Sequence, residues 1–251
     1  MSTASSNPNR VGTVFDVDGT LVPEPSLERR FFERLRWNGA IPLANYLRWS
    51  MEALRLRPKG IACLAHGNKF YLRGVRTDQV FQLLESILFY EEGIERVTWH
   101  ARQGHEVVLV SGTLEPLAQM VATALECELE ARGVECHVQV CATRMEEDHG
   151  RWTGRVIGDA MHGEAKVRAI ARLAQEHRFD LNLSHAYGNT LVDRPMLSMV
   201  GRAHAVNPGK EMATLANLFD WPVWHWHTEK NMNGQSLSHL KTKIPRADSQ
   251  I

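Results

Sequence analysis

Apolar residues recur along this chain with two periods, and the changes between them mark out strands and helices. Val14 and Phe15, with Val17 following, form an apolar run typical of a buried parallel strand. After Pro23 the spacing becomes helical. Ser26 is a natural N-cap ahead of Leu27, Phe31, Phe32 and Leu35, and Pro42 opens a second helix, Leu43–Leu56, that stops near Pro58-Lys59-Gly60. A third helix is predicted over about Ile61–Tyr71. A fourth is predicted over Asp78–Tyr90, capped by Thr77, with Val80, Leu83, Leu84 and Ile87 on one face. Val107–Val110 returns to strand character and precedes a long helix from Pro116 to about Ala131. Cys136–Ala142 reads as a strand, and Glu146–Gly150 as the turn of a hairpin returning through Trp152–Ile157. A helix from Gly163 through Val167, Ile170 and Leu173 follows, then a strand over Leu181–Tyr187. A strand ending in Ala205-Val206-Asn207-Pro208, one more helix and Trp221–Trp224 complete the pattern.

Alternating strands and helices predict an α/β fold, with a Rossmann-like parallel sheet flanked by helices. The run of helices after the first strand interrupts that rhythm. Residues 23–93 are therefore expected to be a small all-helical insertion in a core built from 11–22 and 94–227. The polar stretch 1–10 reads as a flexible leader, and the polar, basic stretch 228–251 as a loose tail.

The 251 residues suffice for one substantial core plus an accessory module. Basic and acidic residues balance at 29 each, so nothing at whole-chain level indicates nucleic acid. Cys63, Cys127, Cys136 and Cys141 show no Cys-x-x-Cys spacing, as expected of a reduced, intracellular protein. The leader carries no apolar segment of the signal-peptide kind, and no run approaches the ~20 apolar residues of a spanning helix. A cytoplasmic location without stable membrane insertion is the expectation. Charge is uneven, however. Between Leu21 and Asp78 there are eleven basic residues and five acidic ones, a surplus of six. Such a surface would attract anionic substrates, or touch an anionic membrane peripherally; it is also what solvated helix faces carry. Oligomeric state is not legible here.

Candidate chemistry sits where the first strand ends. Asp16 and Asp18 in Phe15-Asp-Val-Asp-Gly-Thr20 are two positions apart, so in extended chain both project to one side at the strand's carboxyl end. Open α/β sheets place their ligands at that edge. Asp18-Gly19 alone would pass for a turn, but Asp16, between Phe15 and Val17, would be a costly unpaired charge without a partner. Ser111-Gly112-Thr113, at the end of the second core strand, offers a hydroxyl and backbone N–H groups suited to phosphate. Lys166 lies in a helix's first turn, where a cation opposes the helix dipole.

Asp16-Val-Asp-Gly-Thr20 resembles the first signature of the haloacid dehalogenase superfamily, whose members are mostly Mg²⁺-dependent phosphatases. The resemblance extends from about Val11 to Trp226. It implies that Asp16 is the nucleophile forming an aspartyl-phosphate, and that Asp18 is the general acid/base. Ser111-Gly112-Thr113 resembles the second motif and Lys166 the third, a cation neutralising Asp16 and the phosphoryl group. Gly188-Asn189-Thr-Leu-Val-Asp193 stands where the family usually has Gly-Asp-x-x-x-Asp. The resemblance thus makes Asp16, Asp18 (through its backbone oxygen), Asn189 and Asp193 the surround of Mg²⁺, with an amide in place of one acid. Thr20, Ser111, Gly112, Thr113 and Lys166 would bind substrate, with Thr20 and Thr113 shaping their loops. The helical insertion resembles the family's small caps. Thr143-Arg144, Thr153-Gly154, Gly163-Glu-Ala-Lys166 and Pro195-Met-Leu narrow the likeness to the phosphoserine-phosphatase-like branch. The implied partner is a small-molecule phosphate ester. Phosphoserine itself is not favoured, because the Glu of serine-specific members falls at Pro25, with Glu24 one place off. A weak or non-catalytic phospholigand binder, and a phosphotransferase, remain open alternatives.

Overall fold

The computed structural model describes residues 10–56, 67–80, 86–227 and 241–243. In chain order the elements are β1 (Gly12–Phe15), α1 (Leu27–Trp37), α2 (Leu43–Leu56), β2 (Ser86–Leu88), α3 (Glu91–Arg102), β3 (Glu106–Leu114), α4 (Glu115–Ala131), β4 (Val138–Thr143), β5 (Met145–Asp148), β6 (Arg151–Val156), α5 (Glu164–His177), β7 (His185–Gly188), α6 (Arg194–Ser198), β8 (Arg202–Val206), α7 (Lys210–Leu218), β9 (Val223–Trp224) and β10 (Lys241–Lys243).

Six strands pair in the order β4-β3-β1-β7-β8-β9, all in parallel. The chain leaves β1 for β3 and β4 on one side, then returns to β7 on the other. The switch point therefore lies beside β1, where parallel sheets open a crevice at their carboxyl edge. Side chains alternate across the sheet as period two demands. Phe15, Leu109 and Tyr187 face the layer of α3 and α4, whereas Val14, Val108 and Ala186 pack with Ile170 of α5, Met196 of α6 and Met212 of α7.

α1 starts where Ser26 caps it, its hydroxyl accepting from Arg29 N–H at 3.4 Å. Its buried face, Leu27, Phe31 and Leu35, joins the same apolar cluster as Phe15 and Leu109, so the inserted segment and the core share one interior. The β5–β6 hairpin braces that arrangement. His149 and Gly150 take φ of 48° and 72°, the left-handed pair that a two-residue hairpin turn needs. Trp152 then exchanges backbone bonds with Gly74 and Val75 at 2.7 and 3.0 Å and meets Phe31 edge to face.

Two expectations about the insertion are corrected. Residues 86–88 are a strand, not the end of a helix over Asp78–Tyr90, so the segment 23–93 is not all-helical. Ser86-Ile-Leu-Phe89 is a short apolar run whose pattern suits either period; the structure buries Ile87 and Phe89, two apart, as in a strand. β2 pairs antiparallel with β10, so part of the segment expected to be a loose tail is held. Leu83 and Leu84, and most of the helix predicted over Ile61–Tyr71, lie outside the described residues; Phe70–Leu72 form a single 3-10 turn. The strand predicted from Leu181 begins only at His185, because residues 181–183 turn first.

One layer of the sheet is lined with imidazoles. His100 bonds His105 at 2.8 Å and the Tyr187 hydroxyl at 2.9 Å, and His185 bonds His204 at 3.2 Å. Burial pulls His100 down to about 2, and His185 and His204 to about 4. These groups are neutral when folded and take up protons when unfolded below about pH 6.5. Their contribution is therefore complete above that pH and is lost as pH falls toward 4. Stability measured by chemical denaturation should drop between pH 6.5 and 4.5. A His100→Gln variant should show a slope shallower by up to about 1.4 kcal/mol per pH unit.

Candidate active site

Asp16 extends the β1–β7 ladder by one bond, its N–H donating to Tyr187 O at 2.9 Å, and so stands at the carboxyl edge of the central strand. Its side chain is buried. Lys166, in the first turn of α5, turns inward and donates through Nζ to Asp16 Oδ1 at 2.6 Å and Asp193 Oδ1 at 2.7 Å. Asp16, Lys166 and Asp193 are 6%, 2% and 1% exposed. Charges so far from water persist only when each compensates the others. Burial and then Asp193 push the Asp16 carboxyl up, and Lys166 offsets this only in part. Burial alone would lower the Lys166 ammonium, but the two carboxylates outweigh it and hold it charged.

Asp18 points toward the inserted segment: its Oδ1 accepts the Leu27 N–H at 2.7 Å, at the start of α1. A carboxylate there suits the positive end of the helix. Burial nevertheless pushes its carboxyl up to about 6; the Leu27 bond opposes the rise and Glu24 and Glu28 add to it. Thr20 Oγ1 lies 3.3 Å from Asp16 Oδ2. On the neighbouring strand Phe15 pairs with Leu109, which sets Ser111 two residues further toward the same edge. β3 runs irregularly through Ser111–Leu114 rather than ending at Val110. Ser111 Oγ accepts the Thr113 N–H at 3.1 Å, and the buried Thr113 hydroxyl has no protein partner.

The loop after β7 carries Asn189 and Asp193. Asp193 Oδ2 accepts from Asn189 N–H at 3.3 Å, Thr190 N–H at 3.1 Å and the Thr190 hydroxyl at 3.0 Å. With Oδ1 on Lys166, both oxygens of Asp193 are engaged. Asn189 closes on the Asp18-Gly19 turn: a Cβ at Gly19 would lie 2.0 Å from Asn189 Nδ2, and the φ of +81° there also favours glycine. Among the described residues no three imidazole, thiol or carboxylate side chains converge as a ready metal cage. What the edge does offer is the Asp16 carboxylate and, closing on the Asp18-Gly19 turn, the amide of Asn189. That set is compatible with Mg²⁺, which takes few protein ligands and keeps several waters.

These residues were singled out by sequence; Thr143 was not given a role. Wholly buried, it donates to Gly112 O at 2.8 Å and accepts from Met161 N–H at 3.0 Å, tying the Ser111–Thr113 turn to the loop before α5. Glu28, Lys69 and Tyr71 also went unread. Lys69 Nζ is paired with Glu28, whose Oε1 accepts the Tyr71 hydroxyl at 2.7 Å. A spacing of 41 residues between Glu28 and Lys69 leaves no local signal.

The sequence profile of haloacid dehalogenase-like hydrolases matches residues 13–198, almost three quarters of the chain and all of the site. The chain belongs to the haloacid dehalogenase-like hydrolase family. Its relatives include the inhibition of morphological differentiation protein of Streptomyces azureus, 30% identical over 66% of this chain and 57% of that one. A probable phosphatase of Mycobacterium tuberculosis is 26% identical over 85% of this chain and 75% of its own length. Phosphoserine phosphatase SerB1 of the same organism is 29% identical over 61% of this chain. The chain spans 49% of SerB1, so it matches only about half of that protein. The fold is shared with a Bordetella pertussis protein of unknown function (TM-score 0.62, 23% identity, 86% of this chain and 98% of that one). It is also shared with a phosphoserine phosphatase captured as a phospho-aspartyl intermediate analogue (TM-score 0.59, 16% identity, 86% and 93%). This haloacid dehalogenase-like hydrolase thus has the fold of the phosphoserine-phosphatase-like branch.

Lys166→Met would leave Asp16 and Asp193 facing each other without a cation. Denaturant unfolding at pH 8 should show a loss of about 3–5 kcal/mol. The loss should shrink at pH 5, where protonation of Asp16, whose carboxyl burial already pushes up, relieves the repulsion.

Proposed function

We propose that this hydrolase cleaves phosphate monoesters with Mg²⁺, carrying the phosphoryl group on Asp16, and that its substrate is a small or amphiphilic anionic organic phosphate. The arrangement of Lys166 carries the reading: one buried ammonium neutralises a carboxylate at a sheet edge, beside a second carboxyl whose pKa is raised to about 6. In this reading Lys166 occupies one oxygen of Asp16 and leaves the other with only the Thr20 hydroxyl for company. A carboxylate oxygen of Asp16 bonds to phosphorus, the ester P–O bond breaks, and Asp18 gives its proton to the departing alkoxide. Asp18, now ionised, takes a proton from water as that water attacks the acyl phosphate; phosphate leaves and Asp16 is restored. A group poised near pH 6 serves both directions of transfer.

Ser111, the backbone of Gly112 and Thr113, and Lys166 would hold the phosphoryl oxygens; the unpartnered, buried Thr113 hydroxyl is consistent with that use. Asp16, the Asp18 carbonyl and Asn189 would hold Mg²⁺ directly. Asp193, both of whose oxygens are engaged, would act through water and by fixing the loop and Lys166. When bound, the cation supplies charge for the developing phosphoryl oxyanion. With an amide where the family usually has an acid, this chain gives it one negative charge fewer. Residues 23–93 would act as the cap. Glu24, Glu28 and Arg30 bear on Asp18 electrostatically, and Lys69 lies beside Glu28, so the leaving group would meet charged side chains. A cytoplasmic setting accords with the cysteine pattern.

The test is phosphate release from a panel of monoesters. Wild type should release phosphate only with Mg²⁺, and chelation should stop it. Asp16→Asn should lower the rate by at least ~10³-fold. Asn189→Asp should lower the Mg²⁺ concentration giving half-maximal rate. If wild type binds phosphate but turns over no ester, the chain is a binder on this fold and the mechanism is wrong.

A further inference from the structure

α2 is amphipathic in the unexpected sense: its apolar stripe faces away from the rest of the described residues. Leu43, Leu47, Met51 and Leu54 are between 59% and 87% exposed. At 3.6 residues per turn their positions fall within an arc of about 80°, one continuous stripe along the helix. The opposite face is the one that docks, and it does so with polar and aromatic groups. Asn45 is buried and donates to Tyr71 O at 3.1 Å and Arg73 O at 2.6 Å. The Asn68 amide donates to Trp49 O at 2.8 Å, and Trp49 packs against Phe32 and Tyr71. Burial of the stripe therefore contributes nothing to holding α2 in place.

Charge indicates what the stripe would meet. Arg48 and Arg55 fall on one flank of it, both exposed; Arg55 lies 3.6 Å from Glu52, the one acidic residue of the helix. Trp37, 81% exposed, ends α1 just before the turn into α2. A narrow apolar stripe on a convex helix, bordered by cations with apolar stems, matches a helix lying in the plane of a bilayer interface. Cations beside such a stripe draw it to anionic headgroups. Self-association through the same face would set one row of arginines against another, which like-charge repulsion opposes.

We propose that the outer face of α2 is a peripheral docking surface for an anionic phospholipid bilayer, seating Leu43, Leu47, Met51 and Leu54 among the acyl chains while Arg48 and Arg55 contact the headgroups. The proposal extends the reading of the active site but does not depend on it, because binding here requires no turnover.

The experiment is co-sedimentation of the full chain with vesicles of phosphatidylglycerol and phosphatidylcholine in equal parts, and with phosphatidylcholine alone. Wild type should sediment with the anionic vesicles, less so at high salt, and little with the neutral ones. Leu47→Ser combined with Met51→Ser should weaken binding by about tenfold or more. Arg48→Gln combined with Arg55→Gln should weaken it and flatten the salt dependence. Because all four positions are exposed, circular dichroism melts of these variants should match wild type. Asp16→Asn should bind vesicles as wild type does, so a failed phosphatase assay leaves this result untouched. Absence of wild type from anionic pellets would overturn the proposal. So would binding that survives the Leu47/Met51 change, or a wild-type dimer that the same change converts to monomers.

Discussion

A buried ammonium shared by two buried carboxylates is the constraint around which this molecule is arranged. None of the three could lie so far from water alone, because desolvating a single charge costs more than one surface contact returns. Together they compensate one another over 2.6 and 2.7 Å. Holding those lengths requires three separate pieces of chain to arrive in register: the end of β1, the first turn of α5, and the loop after β7. The parallel sheet meets that requirement by placing β1 between β3 and β7, so all these ends face one edge. The site has its own cost, since the same burial pushes the Asp16 and Asp18 carboxyls upward. In the proposed reaction, the raised carboxyls would suit proton exchange near neutral pH.

The inserted segment is bound to this edge at both ends. Asp18 accepts the N–H of Leu27, so the side chain proposed as acid/base is also a contact that positions α1. At the far side the β5–β6 hairpin of the core exchanges backbone bonds with residues 74–77, and Trp152 meets Phe31. Movement of the segment relative to the core would have to break one of these sets. Phe31, Leu35, Leu72 and Val75 lie in the same apolar cluster as Phe15 and Leu109, which favours a closed arrangement. The described face of α2 turned outward shares none of this packing, so its apolar residues are free of structural duty.

The loop after β7 shows how a substitution in a motif can leave geometry intact while altering charge. Asp193 organises the loop by accepting from three donors and holds Lys166 with its other oxygen. Asn189 keeps an amide against the Asp18-Gly19 turn, where the family usually has an acid. The backbone there does not need that charge, because Asp193 alone satisfies the exposed N–H groups. In the proposed function the change would bear on a cation's affinity rather than on the fold.

The amino-acid sequence by itself determined the strand-and-helix rhythm, the carboxyl-edge placement of Asp16 and Asp18, the N-cap at Ser26, and the hairpin around His149-Gly150. These depend on local periodicity, capping and turn chemistry, which act over a few residues and leave their mark in the order of side chains. Only tertiary structure decided which groups meet across the chain. Lys166 and Asp16 are 150 residues apart, so their pairing was expected from the family resemblance and not from local spacing, and nothing announced that Asp193 would share the same ammonium. Thr143 gained its role between two loops, and Glu28 its pair with Lys69, for the same reason. Ser86–Leu88 became a strand because Lys241–Lys243 came to lie beside it, where an apolar run that suits either period takes the form its neighbour can pair with. The outward turn of the α2 stripe was invisible too, since helical spacing shows that a face is apolar but not which way it points.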